Sequence, residues 1–313
     1  MRISICCTDE ETIGKIDRWV AGFEAALPGA VATPWVPGAA PADYAVVWKP
    51  PQAFFDGQTQ LKGIFNTGAG VDALLRLRLP AGVPVVRLDD AGMAVQMAEY
   101  VCHAVIRQFR DFAGYEADAT SSRWDEREAP RREDFSVGVL GLGVLGERVA
   151  RAVAGFEFPV LGWSRTPRTV AGVRCFSGDE GLAAFLAATR VLVCLLPLTP
   201  QTENILNRQT LDQLRPDAWL INVARGAHLV EDDLLALLDS GRLAGATLDV
   251  FRTEPLPAGH AFWKHPKIRV TPHISARTLR HATTTQIAGK IAALEGGRPI
   301  ASIAGVVDVN QGY

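Results

Sequence analysis

Short uninterrupted apolar runs alternate with amphipathic segments along almost the whole chain. RISIC (2–6), YAVVW (44–48), GIFNT (63–67) and VPVVRL (83–88) read as strands. Between the first two, DRWVAGFEAAL (17–27) has apolar positions at helical spacing, and the Pro/Gly-rich stretch 28–41 reads as a loop. A long helical pattern runs from Met93 to Tyr115, meets its first glycine at Gly114, and gives way to the charged connection TSSRWDEREAPRRED (120–134). A second alternating block opens at FSVGVLG (135–141). It continues through PVLGW (159–163), VRCF (173–176), VLVCLL (191–196), WLINV (219–223), GATLDV (245–250) and IRVTP (268–272). Helical patterns separate most of these runs. EDDLLALLDSG (231–241) is one, with acids in its first turn and glycine at its end. A last helix near 279–295 precedes a polar tail. Strands apolar on both faces, spaced by helices, predict an α/β fold with parallel sheets.

Composition narrows the class. At 313 residues the chain is long for one core, and its 48% apolar content fills two, so two domains are expected. A net charge of −2 offers no global attraction to nucleic acid or anionic membrane, so any basic site must be local. MRISICC is too short an apolar segment for a signal peptide, and runs such as VLVCLL fall far short of spanning a bilayer. The five cysteines have no metal-ligand spacing, so no metal site is expected. They read as free thiols of a cytoplasmic protein, with Cys6, Cys7 and Cys194 inside strand patterns as small buried hydrophobes.

The first chemistry-bearing motif is Gly141-Leu142-Gly143-Val144-Leu145-Gly146, a G-x-G-x-x-G between the strand SVGVL and the helical pattern ERVARAVAGF. The first glycine permits a tight turn and the second lets backbone approach a pyrophosphate. The third allows close helix–strand packing, and the phosphates sit on the helix N-terminus. Glycine-rich turns occur in other α/β proteins, but the flanking strand and helix favour a dinucleotide site. One strand later, an NAD site carries an acid that accepts from the ribose 2′-hydroxyl. LGWSRTPR (161–168) instead offers Ser164, Arg165, Thr166 and Arg168. Removing the acid removes repulsion of a 2′-phosphate, and guanidinium groups supply charge-assisted donors. The turn suits NADP(H) first, with NAD(H) as the lesser coenzyme.

Three later strand ends each deliver one functional side chain. INVARG places Arg225, LDVFRTEP places Glu254 and VTPHIS places His273. Ligands of open α/β sheets bind at the carboxyl ends of strands, so all three can point into one cleft. Arg225 has the fork geometry for a carboxylate or carbonyl oxygen, and Glu254 can hold His273 in one tautomer and favour its protonated form. Taken singly, each has a bland reading: a buttressing histidine, a turn-capping arginine, a solvated glutamate. Their order behind a coenzyme loop favours chemistry. The other five histidines have no comparable setting.

The chain resembles the D-isomer-specific 2-hydroxyacid dehydrogenase family, and within it the glyoxylate/hydroxypyruvate reductase A group. The resemblance rests on VVWKPP (46–51), NTGAGVD (66–72), MAVQMAEYV (93–101), SVGVLGLGVLGERVA, WSR (163–165), LLPLTPQTENILN (195–207), LINVARGAHLVEDDLLALLDSG (220–241), LDVFRTEPLP (248–257) and TPHISA (271–276), in order along nearly the whole chain. It implies a flavodoxin-like substrate domain from residues 1–97 and 283–313, with a Rossmann-type dinucleotide-binding domain over 98–282 inserted through two crossing helices that act as hinges. Arg225 is implied as binder of the substrate's carboxylate and carbonyl, His273 as acid/base and Glu254 as its partner. Backbone N–H groups of Gly68, Ala69 and Gly70 meet the substrate carboxylate, and Trp48 lines the pocket. Coenzyme contacts fall on the glycine loop, Leu196, Pro197, Val223, Ala224, Asp249 (to the nicotinamide carboxamide) and Ser275. The family is usually dimeric through the coenzyme domain, so the Trp124 loop is expected to reach the partner. One departure stands out: after TPHISA the chain reads RTLRHATTT, with Arg277 and a displaced Arg280 where relatives carry a small or apolar residue and then Thr-Arg.

These readings converge on an NADPH-preferring reductase of small 2-oxo acids, glyoxylate and hydroxypyruvate foremost. The alternatives are a dehydrogenase of a bulkier D-2-hydroxy acid and a dinucleotide-sensing regulatory protein of the same fold.

Overall fold

The computed structural model describes residues 1–313, the side chains of Glu10 and Glu11 excepted. It divides into two compact units, Met1–Gly92 with Thr278–Tyr313 and Met93–Arg277.

In the first unit, β1 (Arg2–Cys7), β2 (Val31–Pro34), β3 (Tyr44–Trp48), β4 (Gly63–Asn66) and β5 (Val85–Val86) form a parallel sheet of order β2-β1-β3-β4-β5. This is the flavodoxin-like order. β2 lies within the stretch expected to be loop. It is an edge strand ending at Pro34, where a missing N–H costs no ladder bond, and only Ala32 of its four residues is buried. With one buried position there is no alternation to read.

In the second unit, the strands are β6 (Val137–Leu140), β7 (Val160–Ser164), β8 (Val173–Ser177), β9 (Val191–Cys194), β10 (Ala218–Asn222), β11 (Leu243–Leu248) and β12 (Ile268–Val270). They pair in parallel in the order β12-β11-β10-β9-β6-β7-β8. Successive residues face opposite layers. Val137, Val139, Val191, Val193 and Ile221 pack on one side with Val101 and Val105 of the helix Met93–Phe109. Leu140, Leu192, Cys194, Leu220 and Leu248 pack on the other with Leu234 and Leu238 of the helix Glu231–Asp239. Burial on both faces explains the uninterrupted apolar runs. It also pushes the Cys194 thiol up to about 12, so it stays protonated. Chain direction across the sheet reverses between β6 and β9, the switch point at which a crevice opens in doubly wound sheets.

The crossings between units lie at 92/93 and 277/278, ahead of the expected 97/98 and 282/283. The reason is that neither helix straddles a boundary. Met93–Phe109 packs whole against Val144–Ala154 of the second unit, and Arg280–Glu295 packs against Ile16–Ala26 of the first. The chain passes between the units at 92–93 and at 277–278. Gln96 Nε2 donates to the Arg277 carbonyl at 3.0 Å, and the Arg277 N–H donates back to Gln96 Oε1 at 3.2 Å. The long helical pattern from Met93 is also interrupted. Asp111 adopts a left-handed conformation (φ 46°) and caps a separate helix, Phe112–Thr120, by accepting from the Gly114 N–H. Among the described residues, no helix is long and apolar enough to cross a membrane.

Candidate active site

Every chemistry-bearing segment of the second unit leaves the carboxyl end of a strand. The glycine loop follows β6. Gly141 sits at φ 111°, which other residues rarely adopt, and a Cβ on Gly146 would stand 1.8 Å from the Gly141 carbonyl oxygen. A Cβ on Gly143 would meet nothing within 4 Å. Gly143 is the N-cap of the helix Val144–Ala154, and no side chain caps that end. The first-turn N–H groups of Val144, Leu145 and Gly146 have no intrahelical acceptor, and Gly143 and Val144 are exposed at this positive end of a helix dipole, as a bound pyrophosphate requires. Ser164 closes β7 and donates from Oγ to the Thr166 carbonyl at 2.8 Å, folding the turn tightly. Arg165, Thr166 and Arg168 are exposed there, and the turn contains no acid. The residues fit a dinucleotide with a 2′-phosphate.

Leu196 and Pro197 follow β9; Val223, Ala224 and Arg225 follow β10. Asn222, the last residue of β10 and fully buried, sets this loop: its Oδ1 accepts from the Ala224 N–H (3.2 Å) and its Nδ2 donates to the Arg225 carbonyl (3.0 Å). Gly226 follows because a Cβ there would lie 1.9 Å from the Phe251 carbonyl carbon. That close approach seats the Arg225 loop directly on the loop after β11. There the Phe251 N–H donates to Glu254 Oε1 at 3.0 Å, and Glu254 Oε2 lies 2.9 Å from His273 Nδ1. The carboxylate is thereby aimed by a backbone donor, and it fixes the imidazole so that Nε2 is the free face. The His273 side chain is 38% exposed, against 29% for Glu254. A proton can reach it.

Asp249 follows β11 and is fully buried, Oδ1 accepting from Thr271 Oγ1 (2.6 Å) and the Ile274 N–H (2.9 Å), and Oδ2 from the Ser275 N–H (2.7 Å). Its carboxylate organises the segment carrying His273. Ser275 is likewise buried. His273 itself has φ 55°, a left-handed conformation uncommon for a bulky residue, and its N–H donates to the Asp249 carbonyl at 2.8 Å. The proton of Thr271 goes to the carboxylate, so the Tyr100 hydroxyl, 2.6 Å from Thr271 Oγ1, must be the donor of that pair. Burial pushes Tyr100 up to about 12, which keeps it a donor.

In the first unit, Asn66 Nδ2 donates to the carbonyls of Gly68 (2.9 Å) and Gly70 (3.0 Å). The N–H groups of Gly68, Ala69 and Gly70 donate to no protein acceptor among the described residues. The Trp48 ring lies on this loop: a Cβ at Gly68 would stand 2.3 Å from Trp48 Cζ3. Trp48 is only half-buried, so it is not simply core. Arg280 Nη1 donates to the Arg18 carbonyl at 3.3 Å. Arg277 is exposed, held by its backbone to Gln96. Asn222, Thr271 and Tyr100 hold the loops of the site in ways not expected from the sequence. The available signal was a polar residue closing a buried strand.

Comparison with known proteins agrees with this geometry. Residues 102–275 match the model of the D-isomer specific 2-hydroxyacid dehydrogenase, NAD binding domain. The chain is 50% identical over 304 residues to glyoxylate/hydroxypyruvate reductase A of Serratia proteamaculans, covering 95% of this chain and 96% of that one. It is 47% identical, with the same coverage, to the protein of that name from Yersinia enterocolitica. Among solved structures it is similar to a D-isomer specific 2-hydroxyacid dehydrogenase from Xanthobacter autotrophicus in complex with NADPH and MES (TM-score 0.91, 40% identity, 99% of each chain). It is also similar to the NADPH-dependent glyoxylate/hydroxypyruvate reductase of Sinorhizobium meliloti in complex with NADP and sulfate (TM-score 0.91, 36% identity, 100% of this chain and 99% of that one).

The role found for Asp249 is open to test. Asp249→Ala strands two buried backbone donors and one hydroxyl, and should cost about 3 kcal/mol of stability in urea unfolding. Asp249→Asn retains the size but offers a single acceptor oxygen, and should lose less. Equal stability of the alanine variant and the unmodified protein would refute the anchoring role.

Proposed function

The chain belongs to the D-isomer specific 2-hydroxyacid dehydrogenase family, and we propose that it reduces small 2-oxo acids, glyoxylate to glycolate and hydroxypyruvate to D-glycerate, with NADPH preferred over NADH. The observation that carries this reading is the joined set at the ends of β10, β11 and β12: the Arg225 loop seated on Phe251, Phe251 aiming Glu254, and Glu254 bonded to His273. The names of the relatives and the NADPH or NADP held by the two solved neighbours support the substrate class and the coenzyme.

When bound, NADPH supplies the hydride to the carbonyl carbon. Nδ1 of His273, committed to Glu254, leaves Nε2 to deliver a proton to the carbonyl oxygen. The Arg225 guanidinium holds the substrate's carboxylate and stabilises charge growing on that oxygen. The N–H groups of Gly68, Ala69 and Gly70 hold the carboxylate, and Trp48 limits the group attached to the oxo carbon. Ser164, Arg165, Thr166 and Arg168 take the 2′-phosphate, and Leu196, Pro197, Val223, Ala224 and Ser275 bound the coenzyme. Asp249 meets the nicotinamide carboxamide, and the His273 segment that it anchors lies beside that contact. We place the enzyme in the cytoplasm, on its thiol usage, and assign it a homodimer through the coenzyme unit. The fully exposed Trp124, in a loop where neighbouring residues are exposed too, fits a segment that reaches a second copy. A turnover assay crossing NADPH and NADH with glyoxylate, hydroxypyruvate and bulkier 2-oxo acids tests the whole reading. No turnover with any pair would leave a dinucleotide-binding regulatory role.

Coenzyme choice should respond to the turn after β7. Arg165→Ala should raise the NADPH KM about tenfold or more while scarcely moving that for NADH, because the lost contact is to the 2′-phosphate. Equal use of both coenzymes by the unmodified protein would contradict this.

Glu254 accepts from the Phe251 N–H with one oxygen and faces His273 Nδ1 with the other, so it orients the imidazole. Glu254→Gln leaves one acceptor oxygen for two donors and should reduce kcat about a hundredfold while changing the glyoxylate KM far less. An unchanged kcat would show that Glu254 does not orient the histidine.

Trp48 governs substrate size. Trp48→Ala should weaken glyoxylate turnover and improve that of a branched or aromatic 2-oxo acid. A uniform loss across substrates with a lowered Tm would make the ring a packing element only.

A further inference from the structure

His228 is as buried as any residue in the protein, with no exposed surface, and none of the chemistry above uses it. It closes the 3-10 turn Gly226–His228, one turn beyond Arg225. Its ring lies between two loops of different purpose. Nδ1 is 3.2 Å from the Arg225 amide nitrogen and 3.1 Å from the Arg225 carbonyl, and Nε2 is 3.3 Å from the Pro197 carbonyl.

Donor counting fixes the tautomer. The Arg225 carbonyl already accepts from Asn222 Nδ2 at 3.0 Å and from the His228 N–H at 3.2 Å, which occupies both lone pairs. The Arg225 N–H points at Nδ1, and only an unprotonated Nδ1 can accept it. The proton therefore resides on Nε2, which donates to the Pro197 carbonyl beside Thr202 Oγ1, a second donor at 2.6 Å. A neutral ring with one acceptor and one donor suits this position, since each loop presents the complementary group. An apolar side chain would take away the acceptor of the Arg225 N–H and leave the Pro197 carbonyl to Thr202 Oγ1 alone, at a fully buried position.

We infer that His228 is a positioning residue: its imidazole ties the backbone of the substrate-binding Arg225 to the Pro197 carbonyl of the coenzyme loop, so that each loop holds the other in register. The inference rests on the substrate and coenzyme roles proposed above for those loops. It gives the two arms of one ring separate consequences. The Nδ1 arm sets where the Arg225 side chain departs from its extended backbone (φ −142°, ψ 147°), and so acts on the oxo acid. The Nε2 arm sets the carbonyl of Pro197, and so acts on the coenzyme.

Asn and Gln separate the arms, because the Asn carboxamide oxygen lies where Nδ1 does and the Gln amide nitrogen where Nε2 does. In the full chain, NADPH Kd by calorimetry needs no turnover, and KM for glyoxylate and Tm complete the set. His228→Leu should raise the glyoxylate KM about tenfold and weaken NADPH binding severalfold. His228→Asn should recover the glyoxylate KM but not the NADPH Kd, and His228→Gln should do the reverse. If Asn and Gln behave alike, with losses that follow Tm, the histidine merely fills the core and the inference falls. That comparison stands even if the leucine variant does not fold. Failure of the unmodified protein to turn over any oxo acid would defeat the functional reading alone, and the NADPH Kd contrast between the two amide variants would still decide this one.

Discussion

A carboxylate sealed from water must be given its hydrogen bonds by the protein, and Asp249 takes them from the segment that follows β12. Three donors within five positions of chain, Thr271, Ile274 and Ser275, converge on its two oxygens. Between them His273 must take up a left-handed backbone, with its own N–H turned to the Asp249 carbonyl at 2.8 Å. The strain is held by the anchor, and its result is an imidazole presented with Nδ1 toward Glu254 and Nε2 outward. Buried polar groups rigidify a site when every partner is satisfied, and here the satisfaction extends through Thr271 to the Tyr100 hydroxyl on a helix. The imidazole is thus more than a third exposed while the Asp249 carboxylate that anchors its backbone is fully buried.

The same economy of backbone contacts joins the neighbouring strand ends. Parallel strands deliver their carboxyl ends to one edge, and each loop leaving that edge has backbone polar groups to satisfy. Asn222 satisfies those of the Arg225 loop from within the sheet, and Gly226 lets that loop lie against the Phe251 peptide. Glu254 then bonds one oxygen to the Phe251 N–H and the other to His273. A cation, an acid and a histidine separated widely in sequence become one constellation through contacts in which the backbone is a partner at nearly every step.

Much of this was legible in the amino-acid order. Apolar runs buried on both faces announce themselves, and ten of the strand positions follow from that pattern together with its helices. β2, with only Ala32 buried, and the two-residue β5 carry too little pattern to bound correctly. The break at Asp111 was hidden because it depends on a single left-handed residue, not on glycine or proline. Arg225, Glu254 and His273 were readable as strand-end residues, since topology alone puts them on one edge. Asp249 was not readable as an anchor: a carboxylate at a strand end looks the same in sequence whether it faces a ligand or the donors of another loop. Only the three-dimensional supply of N–H groups distinguishes the two.

Two histidines near one another in function show what burial does to a single residue type. His273, more than a third exposed, turns one ring nitrogen to the Glu254 carboxylate and leaves the other toward solvent. His228, without exposed surface, faces a backbone N–H on one side and a carbonyl on the other. A neutral imidazole meets both groups with one acceptor and one donor, which no aliphatic side chain can do. The first ring is presented outward and the second joins backbone to backbone. Under the function proposed above the two arrangements are complementary, because an outward-facing group has a defined target only while the neighbouring loops stay where they are.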